Sequence, residues 1–114
     1  MTLVRLAAAL FLVLHGASHP LVWGFYHPDN WDPRHSWLLG DARAPVLVLA
    51  AVTAASFVMA ALALAFEASW WPPAAIAGVA ASVLLILLTF TIRWWAGLAI
   101  DVVVLALALR SLAS

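Results

Sequence analysis

Residues 44–66 read APVLVLAAVTAASFVMAALALAF, and no charge interrupts them. A helix rises about 1.5 Å per residue, so a stretch of this length reaches across a hydrocarbon core of about 30 Å. Only Thr53 and Ser56 carry polar side chains within it, and Arg43 and Glu67 stand just outside. A soluble surface helix would show a full polar face. In lipid, backbone N–H and C=O groups must pair within the segment, which selects helix.

Working outward, three further windows pass the same test, at roughly residues 3–26, 73–92 and 95–112. The segments between them are chemically distinct. HPDNWDPRHSWLLGDARAP carries Pro28, Pro33 and Pro45 with Gly40, while EASWWPP brings Pro72 and Pro73 to the start of the third span. Proline suits a helix's first turn, where its missing N–H is not needed. The third connection reduces to Arg93, Trp94 and Trp95, so spans three and four form a tight hairpin. Trp70 and Trp71 mark one interface, with Trp23, Trp31, Trp37, Trp94 and Trp95 at the other, as an aromatic belt requires. The expected fold is all-α: one domain over 1–114, a four-helix transmembrane bundle running up-down-up-down.

Composition agrees. Apolar residues make up 68% of the 114 residues and charged residues 9%, against about 45–50% and about 25% in soluble domains. The formal charge is zero, so no basic surface points to nucleic acid. With no cysteine, disulfides, thiolate metal sites and CxxC redox chemistry are excluded together. The expected location is the cell membrane, multi-pass, with the lipid bilayer as solvent. Four crossings put both termini on one side. Arg5, Arg110 and the amino terminus nearly balance Arg34, Arg43 and Arg93; the net acidic first loop favours cytoplasmic termini. Arg5 followed by LAAALFLVL and Gly16-Ala17-Ser18 has some features of a cleavable signal, but the apolar run continues past His19 and Pro20 as LVWGF, which suits a span.

Each window also carries one stripe of small or polar residues: Ala8, Leu12, His15 and His19; Thr53, Ser56 and Ala60; Ala75, Gly78, Ser82, Thr89 and Arg93; Gly97, Asp101 and Ala108. Apolar side chains gain nothing by leaving lipid for one another, so such stripes mark helix contacts. Ser and Thr can instead bond a carbonyl one turn back in their own helix.

Ionisable groups at membrane depth cost at least about 2.5–3.5 kcal/mol and normally find partners. His15, His19 and Asp101 are the three in question. By helix rise, His15 and His19 lie about 18 and 24 Å from the terminal side, and Asp101 about 19 Å from it. Thr53 and Thr89 fall near the same plane. These five form the candidate intramembrane polar cluster. Its simplest reading is a His–Asp bond pinning the first span to the fourth; a proton relay or the polar anchor of a ligand is the functional one. Histidines at i and i+4 share a face, but two neutral ligands and one carboxylate are too few to assign a metal. Haem fits worse, because two histidines on one helix do not bind opposite faces of one ring. His27, Asp29, Asp32, Arg34 and His35 form a second polar group in the first loop. No catalytic residue and no cofactor is assigned.

The stretches RLAAALFLVLHGASH (5–19), WWP (70–72) and WWAGLAIDVVV (94–104), with the Trp-rich first loop, resemble those of small bacterial four-helix membrane proteins, similar in size and layout to the DoxX-like proteins. The resemblance covers nearly the whole chain, and its distinctive motif is His15-Gly16 with His19. It implies a four-helix bundle. DoxX-type proteins are associated with thiol- or quinone-linked redox chemistry, and this chain has no cysteine to carry the thiol part. The expected role is a non-enzymatic accessory subunit of a membrane-protein partner, or a small homo-oligomer. The alternatives are a binder of a hydrophobic small molecule, quinone or lipid, anchored by His15, His19 and Asp101, and an intramembrane enzyme with His15 and Asp101 as acid–base pair. A cavity at the histidine level separates the binder and the enzyme from the subunit.

Overall fold

The computed structural model describes residues 2–25, 35–36, 38–41, 43–89 and 95–113. Four helices account for nearly all of them: α1 (Leu3–Phe25), α2 (Arg43–Ala65), α3 (Trp71–Leu88) and α4 (Trp95–Ala113). Each contains a stretch long and apolar enough to cross a membrane, and the longest dimension is 45 Å, close to a bilayer of about 40–45 Å with its headgroups. The chain is an all-α, multi-pass membrane bundle. A two-residue antiparallel ladder, β1 (His35–Ser36) with β2 (Gly40–Asp41), is the remaining regular element among the described residues. Ser36 is buried, and its Oγ accepts from the N–H groups of Leu38 and Leu39 at 3.2 and 3.1 Å.

The helices begin and end near the expected windows, with one difference. The third window, expected at 73–92, is helical from Trp71 to Leu88, with its prolines in the first turn. At Thr89 the backbone leaves helical geometry (φ −115°, ψ 22°), while both its N–H and its Oγ donate to the Leu85 carbonyl. The sequence Thr89-Phe90-Thr91-Ile92 consists of β-branched and aromatic residues, which hold a helix weakly. The third helix therefore ends before its expected window does; residues 90–94 lie outside the described residues.

Helix α1 continues through Pro20. Proline has no N–H for the Gly16 carbonyl, a defect tolerated in membranes when side chains satisfy backbone groups nearby. In the same turn the Ser18 hydroxyl donates to the His15 carbonyl at 2.6 Å, and His19 Nδ1 lies 2.9 Å from that oxygen.

Packing follows chain order: α1 on α2, α2 on α3, α3 on α4. Phe57 of α2 is the hub and is completely buried. A Cβ at Gly16 would fall 2.8 Å from Phe57 Cβ, and one at Gly78 would fall 3.1 Å from the Phe57 ring. The bare backbones of α1 and α3 thus close on one aromatic side chain, the use membrane bundles make of small residues. Of the expected contact stripes, Ala75, Gly78, Ser82 and Thr89 are buried, as are Thr53 and Ala60, and Asp101 and Ala108, while Ser56 and Gly97 are only half-buried and Arg93 lies outside the described residues. Leu12, His15 and His19 are buried in α1, but Ala8 is exposed and Ala9 takes its place. Leu10, Val48, Leu84 and Val102 point outward, where lipid is their solvent.

Helix α2 ends in a Schellman turn. Ala68 N–H donates to the Ala63 carbonyl at 2.7 Å and Glu67 N–H to the Leu64 carbonyl at 3.2 Å, with Glu67 at φ 57°. Arg5 Nε donates to the same Leu64 carbonyl at 2.6 Å. A cation thus joins the start of α1 to the negative end of the α2 dipole.

Candidate functional site: a buried polar ring and the groove beside it

In a bundle that packs in chain order, a polar contact joins the fourth helix to the first. His15 Nε2 lies 2.9 Å from Asp101 Oδ1. The other carboxylate oxygen, Oδ2, lies 2.5 Å from Ser82 Oγ of α3. Ser82 Oγ is in turn 2.8 Å from His19 Nε2, and His19 Nδ1 returns to the His15 carbonyl at 2.9 Å. The contacts form a closed ring through three helices. Asp101 and Ser82 are completely buried, His19 nearly so, and His15 is 9% exposed.

Apolar and aromatic groups enclose the ring. The Phe57 ring stands edge-on to His15 at 5.1 Å between centroids, Trp23 stacks on His19 at 5.5 Å, and Phe11 stacks on His15 at 6.0 Å. Such packing keeps water from the carboxylate and strengthens each bond within the ring.

The structure brings His15, His19 and Asp101 together and does not bring in Thr53. That hydroxyl is buried, but it donates to the Leu49 carbonyl of its own helix at 2.7 Å, the local alternative open to any helical threonine. Thr89 belongs to a neighbouring contact: Trp23 Nε1–H donates to its Oγ1 at 2.9 Å while Thr89 donates to Leu85. Ser82 is the member that depth matching missed. Its place on the contact stripe of α3 was visible, but not that its hydroxyl would reach two other helices. Among the described residues no group of three metal-ligating side chains converges; His27, Asp29, Asp32 and Arg34 lie outside the described residues.

Between α1 and α4, from the terminal end of the bundle to the level of the ring, runs a groove of about 740 Å³. Ala8, Phe11, Leu12, Ile100, Val103 and Leu107 line its length, with Thr2, Arg5 and Trp71 also contributing. From Thr2 to Leu12 the α1 wall rises about 15 Å. On α1 the lining runs as far as Phe11 and Leu12 and on α4 as far as Ile100 and Ala99, beside Asp101, and Phe11 stacks on the His15 imidazole.

Compared with family models, with curated proteins and with solved structures, the chain finds no match in any of the three.

Proposed function

We propose that this protein is a non-enzymatic membrane protein that holds an anionic, single-chain amphiphile, of the fatty acid or lysolipid class, in the groove between α1 and α4. The observation that carries this reading is the groove itself. Its volume of about 740 Å³ falls within the range of about 300–1,000 Å³ typical of small-molecule sites. Its walls are apolar, and its one charged lining residue is Arg5, beside Thr2 and Trp71. A chain laid along α1 puts its carboxylate or phosphate at Arg5 and its methyl end at Phe11. Cytoplasmic termini set Arg5 in the leaflet whose anionic lipids attract cations.

The expected accessory-subunit or homo-oligomer role meets this reading at the same surface. Helix α4 packs on α3 and leaves Val102, Val103, Leu107 and Leu109 outward, so a second copy would use the groove wall. The resemblance to DoxX-like proteins supports the four-helix layout and is neutral between the two roles.

A fatty acid carrying a photoreactive diazirine near its methyl end tests the assignment in nanodiscs. Labelling is expected to concentrate on Phe11, Ile100 and Val103, and Val103→Trp should reduce it several-fold. Even labelling over the outward residues Val48, Leu84 and Val102 would overturn it. So would efficient disulfide crosslinking between copies carrying cysteine at Ala8 and Leu107, which would seat a second protomer in the groove.

A further inference from the structure

Four contacts close the polar ring, and a hydrogen bond at each requires one hydrogen between its two heavy atoms. A carboxylate, a hydroxyl and two neutral imidazoles bring three: one on Ser82 and one on each histidine. The His15 carbonyl only accepts, so His19 commits its hydrogen at Nδ1. His19 Nε2 then presents a lone pair to Ser82 Oγ at 2.8 Å, while Asp101 Oδ2 presents another at 2.5 Å. The single Ser82 hydrogen serves one of them. The remaining contact would be lone pair against lone pair, in a site closed to water and carrying a net negative charge.

We infer that the ring is a binding site for one further proton, shared along Asp101, Ser82 and His19 and making the cluster electrically neutral. Two arrangements complete all four bonds. In one, protonated Asp101 Oδ2 donates to Ser82 Oγ, and the Ser82 hydroxyl donates to His19 Nε2. In the other, the Ser82 hydroxyl donates to the Asp101 carboxylate, and His19, protonated on both nitrogens, donates from Nε2 to Ser82 Oγ. They interconvert when the Asp101 proton moves to Ser82 Oγ as the Ser82 proton moves to His19 Nε2. Two O–H or N–H bonds break, two form, and the net charge stays zero. His15 donates from Nε2 to Asp101 Oδ1 in both. Placing the added proton on His15 Nδ1 instead leaves one ring contact without a hydrogen, so the site is specific to the other three groups.

Among the residues whose side chains are described, no other titratable group faces the ring. Helix α2 presents Phe57 and α3 presents Ser82; α1 and α4 supply the two histidines and Asp101. Arg43, Glu67 and Arg110 are exposed, and Arg5 is bonded to Leu64 at the terminal end of the bundle. Neutralisation matters because an unbalanced charge is costly at membrane depth. The proposal is independent of what occupies the groove.

Infrared and imidazole ¹⁵N spectra of the folded protein in nanodiscs near neutral pH test it directly. Either a protonated carboxyl stretch that vanishes in Asp101→Asn, or an imidazolium at His19, is expected. A carboxylate at Asp101 with both rings neutral would overturn the assignment. Ser82→Ala removes two contacts, and the two left need only the hydrogens that neutral imidazoles carry. Proton affinity should therefore fall at least about tenfold, the equivalent of one pH unit; unchanged protonation in Ser82→Ala would show that burial alone holds the proton and would overturn the shared site. Asp101→Asn supplies an amide donor to Ser82 and a carbonyl to His15, completing the ring with no added proton. Above about pH 7.5, where the histidines of the unfolded chain are neutral, its folding equilibrium should be flat with pH, whereas that of the wild type weakens by up to about tenfold per pH unit until rising pH has removed the proton. Identical pH profiles, or an Asp101→Asn variant that fails to fold, would count against the proposal.

Discussion

At the scale of single residues, Phe57 and the two glycines that face it set the tolerance of the bundle. Gly16 leaves 2.8 Å for a Cβ against Phe57 Cβ, an atom held by its own backbone, so Gly16→Ala should lower stability by about 1–3 kcal/mol through overpacking. Thermal unfolding in detergent measures it, and a melting point equal to the wild type's would refute the close contact. Gly78 faces the flat ring at 3.1 Å; Gly78→Leu should disrupt the bundle, while Leu84→Ile, on a face 50% exposed, should be nearly neutral. Asp101 gives a second contrast. Asp101→Leu strands the His15 Nε2 hydrogen, a loss of about 1–3 kcal/mol for a buried unsatisfied group, while Ser82 still donates to His19; Asp101→Asn keeps a partner for His15. Membrane hydrogen bonds average only about 0.6 kcal/mol in double-mutant cycles, so the order of the two variants, Asn above Leu, is the decisive result.

At the scale of helices, the bond from Arg5 to Leu64 does what packing alone does not: it ties the first turn of α1 to the last turn of α2. Bonds from charged donors contribute about 1.5–3 kcal/mol, with the lower part of that range fitting a half-exposed guanidinium. Arg5→Gln should reduce stability by about 1–2 kcal/mol on that basis and speed amide exchange at Glu67 and Ala68, whose N–H groups close the same turn. Exchange rates unchanged at those two amides would place the bond outside the folded ensemble. The helix ends were partly readable from sequence. Pro72 and Pro73 announced the start of α3, but its end at Leu88 did not show, because apolar content continues to Ile92 and only the backbone leaves the helix.

At the scale of the whole molecule, the chain-order packing of α1 through α4 leaves the α1–α4 side joined by the polar ring and open along the groove. Four crossings predict residues 67–72 and both termini on one side of the membrane, and residues 27–43 with 93–95 on the other. Because the native chain has no cysteine, single cysteines at positions 1, 69, 32 and 114 can be labelled without background. Positions 1, 69 and 114 should react from one side and position 32 from the other; labelling of 1 and 114 from opposite sides would contradict the even number of crossings.

Segment length, hydropathy and the interfacial tryptophans are local properties, and they determined four spans, their approximate bounds and their alternating direction. Depth along a helix is also nearly local, since each residue adds a fixed rise, and this brought His15, His19 and Asp101 to one level. Rotation about each helix axis and the approach between helices are not local. They decide whether a hydroxyl bonds back to its own helix, as Thr53 does to Leu49, or reaches across, as Ser82 does to Asp101 and His19. Both outcomes suit the same residue types at the same spacing, and a shift of about 1 Å between helices exchanges one for the other. Tertiary structure alone therefore decided the membership of the ring, the Arg5 tie to Leu64 and the groove beside them.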